Sequence, residues 1–470
     1  MKNYFIGHLL LALLVAFTGC KVSQDVLVPE LNLPTTYRSA TMQDTASVAR
    51  LPWNKFFTET DLQSLIDSAV ARNNDLQLAV KNLESAQLVL RQARLGYLPD
   101  IQLRGTATST RPSDNSLNGV TLEQFLGTRH IEDFTAAAAI SWEADIWGKI
   151  RSQKAAALAV YLQTEEARKA VQTQLVTNVA QSYYNLLMLD EQLRIAHKNL
   201  KLSDSTIRVL QLQFNAGQVT SLALQQVEAQ RLTAARLIPQ FEQAIIIQEN
   251  ALSILVGKLP AQISRSATLE TVPTSRGFAA GLPSQLLHLR PDVRRSELAV
   301  IRANADVGLA KANLYPSLVI TAQGGINAIK ASNWFNIPAS LFGTVAGGLT
   351  QPLFEKRRLR TQYYLARLER EKSIIEFRQQ VLIAVGEVSD ALVRMDKLQQ
   401  QQTIAANRAK TLQQATGNAA MLFKSGMANY LEVLSAQTNV LQSELELTTI
   451  KKAQLDATID LYRSVGGGWK

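Results

Sequence analysis

Apolar residues along this chain keep two rhythms, one long and helical, the other short and alternating. From Lys149 to Ala216 there is neither Gly nor Pro, the residues that most often end a helix. Within that stretch Leu175, Val179, Ser182, Leu186, Leu189, Leu193, Ala196, Leu200, Ser203, Ile207, Leu210 and Phe214 alternate in steps of four and three. All but the two serines are apolar. The spacing predicts one helix with a heptad seam, ~100 Å long at 1.5 Å per residue. Gly217 stands where a left-handed cap would close it, and a second long helix follows.

The same rhythm returns at an offset of 209. Ala384, Val388, Ala391, Met395, Leu398, Gln402, Ala405, Ala409, Leu412, Thr416, Ala419 and Phe423 keep the seam, and Gly426 closes it. Val256-Gly257 and Val465-Gly466 share that offset. Nearer the N-terminus, Asn74-Asp75 and Leu98-Pro99 match Pro291-Asp292 and Tyr315-Pro316 at 217, while Ile146-Trp147-Gly148-Lys149 matches Leu353-Phe354-Glu355-Lys356 at 207. Offsets held over long stretches mean two copies of one unit. The expected organisation is two repeats, 60–258 and 284–470, joined by a linker at 259–283 and preceded by an N-terminal segment, 20–59.

The alternating rhythm is confined to short segments between the helices. Ile101 to Thr110, Phe134 to Ile146, Leu318 to Ile329 and Leu341 to Leu353 are β-prone, with a polar or Gly/Asn-containing loop inside each pair and Pro99, Pro316 and Pro352 at the junctions. Four strands cannot close a barrel, and open sheet edges are not tolerated in lipid, so a membrane role requires several chains. Tyr97, Trp142, Trp147, Tyr315 and Phe354 sit near the helix–strand junctions. They suit either an interfacial aromatic belt or an interior core.

Composition narrows the function classes. At 46% apolar over 470 residues, the chain is not a helical transporter with many spans, although a β-barrel scarcely raises mean hydropathy. The net charge of +10 is spread along helical segments, which points to solvated faces rather than nucleic acid. Lys356, Arg357, Arg358 and Arg360 are expected in a solvated first helical turn, with contact to lipid headgroups as the alternative. The four histidines are scattered, and there is no His-Glu-x-x-His, phosphate loop or Gly-x-Ser-x-Gly elbow. Neither an enzyme nor a metal or cofactor site is expected.

The single cysteine matters through its position. Lys2 gives a basic start, Phe5 to Phe17 is apolar, and Phe17-Thr18-Gly19-Cys20 follows. That run is too short to cross ~30 Å of hydrocarbon and suits a secretory signal over 1–19. Its end resembles a bacterial lipobox, with Phe17 where Leu is usual. The resemblance implies that Cys20 becomes the lipidated first residue; a plain signal peptide with an incidental cysteine is the alternative. Lys21, in place of Asp, then implies the outer membrane.

Four further stretches resemble the signatures of the TolC/OprM-type outer-membrane efflux family. They are Trp142-Glu143-Ala144-Asp145-Ile146-Trp147-Gly148-Lys149; Leu282-Pro283-Ser284-Gln285-Leu286-Leu287 with Arg290-Pro291-Asp292; Gly426-x-x-Asn429-Tyr430-Leu431-Glu432-Val433-Leu434; and Leu461-Tyr462-Arg463-Ser464-Val465-Gly466-Gly467-Gly468-Trp469. Their order and reach cover essentially the whole mature chain. The resemblance implies an α+β fold: a homotrimer whose twelve-stranded β-barrel in outer-membrane lipid continues into a periplasmic α-helical barrel. It implies an exit duct served by a periplasmic adaptor and an inner-membrane efflux transporter of the resistance–nodulation–division class. The cargo would be drugs or biocides, or heavy-metal ions; a coiled-coil lipoprotein scaffold with no pore is a further alternative.

The same resemblance assigns residues. The turns at Gly217, Val219 and Thr220 and at Gly426, Asn429 and Tyr430 would meet the adaptor, with Val219, Thr220, Asn429 and Tyr430 exposed. Glu432 holds the first acidic position of the family's periplasmic entrance; the second is Ser435 here, and the basic position after the turn is Ala428.

Overall fold

The computed structural model describes residues 22–27, 33–38, 47–273 and 280–470. Cys20, the signal segment and 274–279 of the expected linker lie outside them. The main elements are α1 (Thr60–Arg72), α2 (Asn74–Leu95), β1 (Asp100–Thr110), α3 (Leu117–Leu126), β2 (Ile131–Glu143), α4 (Lys149–Asn215), α5 (Ser221–Leu255), α6 (Pro291–Ala312), β3 (Ser317–Ala328), β4 (Leu341–Thr350), α7 (Arg358–Lys424) and α8 (Tyr430–Ser464).

Helix lengths reproduce the repeat. α2 and α6 have 22 residues each, α4 and α7 have 67 each, and α5 and α8 have 35 each. The bounds of the first pair differ by 217 and those of the other two by 209. The Ile146 and Leu353 motifs, offset by 207, are therefore two residues out of step with the helices that follow. The surplus is taken up by Lys356 and Arg357, both left-handed at φ 50° and 63°. This corrects the expectation for the basic cluster. Lys356 and Arg357 precede the helix in a strained conformation costing about 1–3 kcal/mol each, and α7 begins only at Arg358.

The chain divides into two compact units. One contains Ser85–Leu162 and Leu298–Ile375, and its sheet runs β1-β2-β3-β4, antiparallel throughout. The strands stop where the sequence supplies a competing structure. β2 ends at Glu143, earlier than expected, because the Asp145 carboxylate accepts from the N–H groups of Ile150 (2.8 Å) and Arg151 (3.0 Å). Those are orphan donors at the start of α4, so beyond Ala144, whose N–H still reaches the Leu318 carbonyl at 3.0 Å, the chain turns instead of pairing. β4 ends at Thr350, two residues before Pro352, which has no N–H to pair.

The other unit holds Gln163–Glu297 and Glu376–Lys470. Eleven of the twelve seam positions on α4 and all twelve on α7 are at least half-buried; Phe214 is the exception, 39% exposed. α4 buries a second stripe through Val176, Ala180, Tyr183 and Leu187. It also runs antiparallel to α8, with contacts stepping in opposite directions: Gln181–Asp460, Gln192–Thr448, Lys198–Glu444 and Thr206–Gln437.

Two clamps hold this unit. Tyr462 is buried, stacks on Phe56 at 4.0 Å and donates its hydroxyl to the Leu51 carbonyl at 2.6 Å. Arg290 is also buried. It pairs with Asp292 at 2.6 Å and Glu387 at 2.8 Å, and donates to the Ser464 carbonyl at 2.9 Å. Burial alone would lower its pKa, but Asp292 and Glu387 hold it above the ordinary guanidinium value. Removing such a buried partner costs about 3–5 kcal/mol; the third-exposed carboxylates here place Arg290 at the low end.

Candidate functional site

The sheet has two chemically distinct faces, and register shows how uniform each is. Ile101, Leu103, Gly105 and Ala107 of β1 pair with Ile140, Ala138, Ala136 and Phe134 of β2. Those four pair in turn with Ala322, Gly324, Ile326 and Ala328 of β3. Three of these continue to Val345, Gly343 and Leu341 of β4. Every residue in these rows is apolar. Leu103 and Val345 are 87% and 80% exposed, so a large apolar surface stands uncovered on the single chain. Such surfaces mark interaction with a partner or with lipid.

The opposite face carries Gln102, Arg104, Thr106 and Thr108 on β1, which meet Ala139, Ala137, Thr135 and Asp133. On β3 it carries Thr321, Gln323 and Asn327, and on β4 Thr344 and Thr350. Near one end Asn327 donates to Asp133 and to Thr135. Gly325 leaves no room for a side chain: a Cβ there would lie 2.1 Å from the Ala136 carbonyl oxygen. The outer strands β1 and β4 leave their far edges unpaired in the sheet.

At the junction end the aromatics divide. The Trp142 indole N–H donates to the Tyr97 carbonyl at 2.9 Å. Trp147 donates to the Pro316 carbonyl at 2.7 Å and stacks on Tyr315 at 4.9 Å. These four tie strand ends to neighbouring turns, whereas Phe354 is 85% exposed. At the other end α3 occupies the loop between β1 and β2, with Leu117 and Phe125 exposed. The polar loop expected from the sequence thus contains a helix, whose ten residues carry little helical periodicity. Among the described residues, no helix is long and apolar enough to cross a membrane.

In the second unit the two hairpins end on glycine turns as expected. Gly217 and Gly426 are left-handed at φ 73° and 76°. Each turn closes with paired carbonyls: Gly217 N–H to Phe214 and Gln218 N–H to Gln213, then Gly426 N–H to Phe423 and Met427 N–H to Leu422. Asn429 caps α8 by accepting from the Glu432 N–H at 3.2 Å.

The structure corrects one expectation here. Thr220 and Asn429 are exposed, but Val219 and Tyr430 are half-buried. Both pack on a plug of Leu210, Ala223, Val227, Phe423 and Val433, and the Tyr430 hydroxyl donates to Gln226 at 2.8 Å. Hairpin ends supply apolar side chains that must be covered, and these two cover them. Glu432 and Ser435 are both exposed on the first turns of α8.

The two-faced sheet and the paired hairpins now have a counterpart. A family profile described as outer membrane efflux protein matches residues 65–258 and again 282–467, well over half of the chain. The chain belongs to the outer membrane efflux protein family. The cation efflux system protein CusC of Escherichia coli is 28% identical to this efflux protein over 467 residues, 97% of both chains. The probable outer membrane lipoprotein SilC of Salmonella typhimurium is 27% identical over 460 residues, 95% of this chain and 92% of its own. The solvent efflux pump outer membrane protein SrpC of Pseudomonas putida is 27% identical over 464 residues, 97% of both.

A crystal structure of CusC, described for its transmembrane channel formation, superposes with a TM-score of 0.83 at 26% identity, covering 96% of this chain and 100% of that one. The resemblance to the TolC/OprM-type family therefore holds, and so does the α+β fold with its tandem repeat. The efflux protein is an exit duct at the outer membrane, and the apolar sheet face is the part of it suited to lipid.

Proposed function

We propose that three copies of the chain pool their sheets into one twelve-stranded barrel, lipid-anchored through Cys20, and that their hairpins continue it as a periplasmic helical barrel. The observation that carries this reading is the sheet: one face wholly apolar in its central rows, the other carrying Gln102, Arg104, Thr106, Gln323, Asn327 and Thr344 among small residues, and both edges open. A sheet in lipid must be closed, and four strands cannot close on themselves. Twelve strands spaced ~4.8 Å and tilted ~40° enclose a barrel of roughly 12 Å radius, wide enough for a water-filled lumen lined by the polar face.

The tips at Gly217–Thr220 and Gly426–Tyr430 are the surface for a periplasmic adaptor, which links the duct to an inner-membrane pump of the resistance–nodulation–division class. The duct conducts solutes without chemistry and needs no cofactor beyond the lipid on Cys20. Drugs or biocides are the proposed cargo. Metal ions are the second reading, favoured by the likeness to CusC, a cation efflux system protein.

Two results are expected. The detergent-extracted protein should have the mass of three chains; a stable monomer that still conducts would contradict the closure argument. Labelled palmitate should enter the wild-type protein and be absent from Cys20→Ala, because the chain has only that cysteine. Incorporation that survives the change would remove the anchor from the account.

A further inference from the structure

Strand register places a single basic residue at mid-height on the polar face. Arg104 lies in a row with Ala137 of β2, Gly325 of β3 and Phe342 of β4. Its neighbour on β2 and the next residue in the row, on β3, are thus the smallest side chains available, and Arg104 itself is exposed. Nothing in that row of β2 or β3 is bulky enough to cover a long side chain. The nearest acidic residues on the same face are Asp100, and Asp133 in the row of Thr108. Each stands four residues from Arg104 along β1, about 13 Å at strand rise. The Debye length in physiological salt is ~8 Å, so neither carboxylate neutralises the guanidinium.

We propose that Arg104 forms a positive girdle inside the outer-membrane barrel, favouring anionic solutes and retarding cationic ones, so that it is a specificity-determining residue of the duct. The inference rests on the three-chain barrel. In a lumen of roughly 12 Å radius, three inward guanidinium groups come within about one Debye length of the axis. No mobile cation on the axis can avoid their field, and no carboxylate of the same row opposes it. The girdle also bears on cargo: it suits anionic or neutral organic solutes better than bare metal cations.

The test uses Thr106→Cys as a reporter, two residues along β1 on the same face. Apart from Cys20 the chain offers no thiol. In whole cells, its labelling rate is measured with a negatively charged and a positively charged membrane-impermeant thiosulfonate of similar size, with and without Arg104→Gln. The anionic-to-cationic rate ratio is expected to fall roughly fivefold on removing Arg104, the effect of three unit charges ~10 Å away in water after one Debye length of screening.

An unchanged ratio with Thr106→Cys still reactive would overturn the girdle and leave the barrel standing. Leu103→Cys, on the apolar face, is expected to resist both reagents. If it reacts while Thr106→Cys is protected, the face assignment fails and the girdle fails with it.

Discussion

Ala138→Arg is expected to keep the efflux protein out of the outer membrane, whereas Ala139→Arg, one residue along the same strand, is expected to be accepted there. Ala138 pairs with Leu103 on one side and Gly324 on the other, in the middle of the apolar face. An arginine facing lipid near the bilayer midplane costs about 2–4 kcal/mol. Three copies in one barrel raise that to roughly 6–12 kcal/mol, comparable with the whole stability of an ordinary domain.

Ala139 pairs with Gln102 and Gln323 on the polar face, where a charge meets water at little cost. The readout is the amount of assembled trimer in outer-membrane fractions. Equal accumulation of the two variants would sink the assignment of faces, since a strand's side-chain period of two leaves no other way for neighbours to behave alike.

Much of this architecture was legible before any coordinates. The long helices announce themselves because a heptad seam is local: each turn repeats the same information, and Gly217 and Gly426 end the pattern visibly. The repeat was legible for a related reason. Two copies of one motif set, held at constant offsets, need no knowledge of contacts. The strands were found approximately, and their ends shifted where a non-local or capping interaction decided the outcome. Asp145 stopping β2 is the case in point; the start of α7 moved for a separate reason, the left-handed pair Lys356–Arg357.

What stayed hidden depends on pairing across distance in sequence. That the rows through Leu103, Gly105 and Ala107 stay apolar on every strand they cross follows from register, which alternation within one strand cannot supply. The plug that half-buries Val219 and Tyr430 draws on four helices, so a turn motif alone suggested exposure. Arg290 was visible in the Arg290-Pro291-Asp292 signature, but its bond to the Ser464 carbonyl joins residues 174 apart. Arg104 drew no notice in the sequence because a lone arginine on a strand has no motif. Only its place in the row gives it a role.

The largest effect the account predicts is ion conduction itself. A closed barrel of roughly 12 Å radius is no barrier to hydrated ions, so the narrow point of the duct is expected where the hairpin tips converge. Glu432, exposed on the first turn of α8, is the acidic residue proposed for that point. Three such carboxylates around one axis form a ring that attracts cations and holds them at a constriction. By the resemblance, the other charged positions of the family's entrance fall on Ser435 and Ala428, which carry no charge. Glu432→Ala is therefore expected to raise conductance and to weaken cation preference at the tip, without changing the assembly.

The most direct measurement is single-channel recording of the purified trimer in planar bilayers, wild type beside Glu432→Ala. A water-filled duct predicts discrete conductance steps, larger and less cation-selective in Glu432→Ala. Intact trimers of both forms that insert and leave the bilayer non-conducting would contradict the account at its centre.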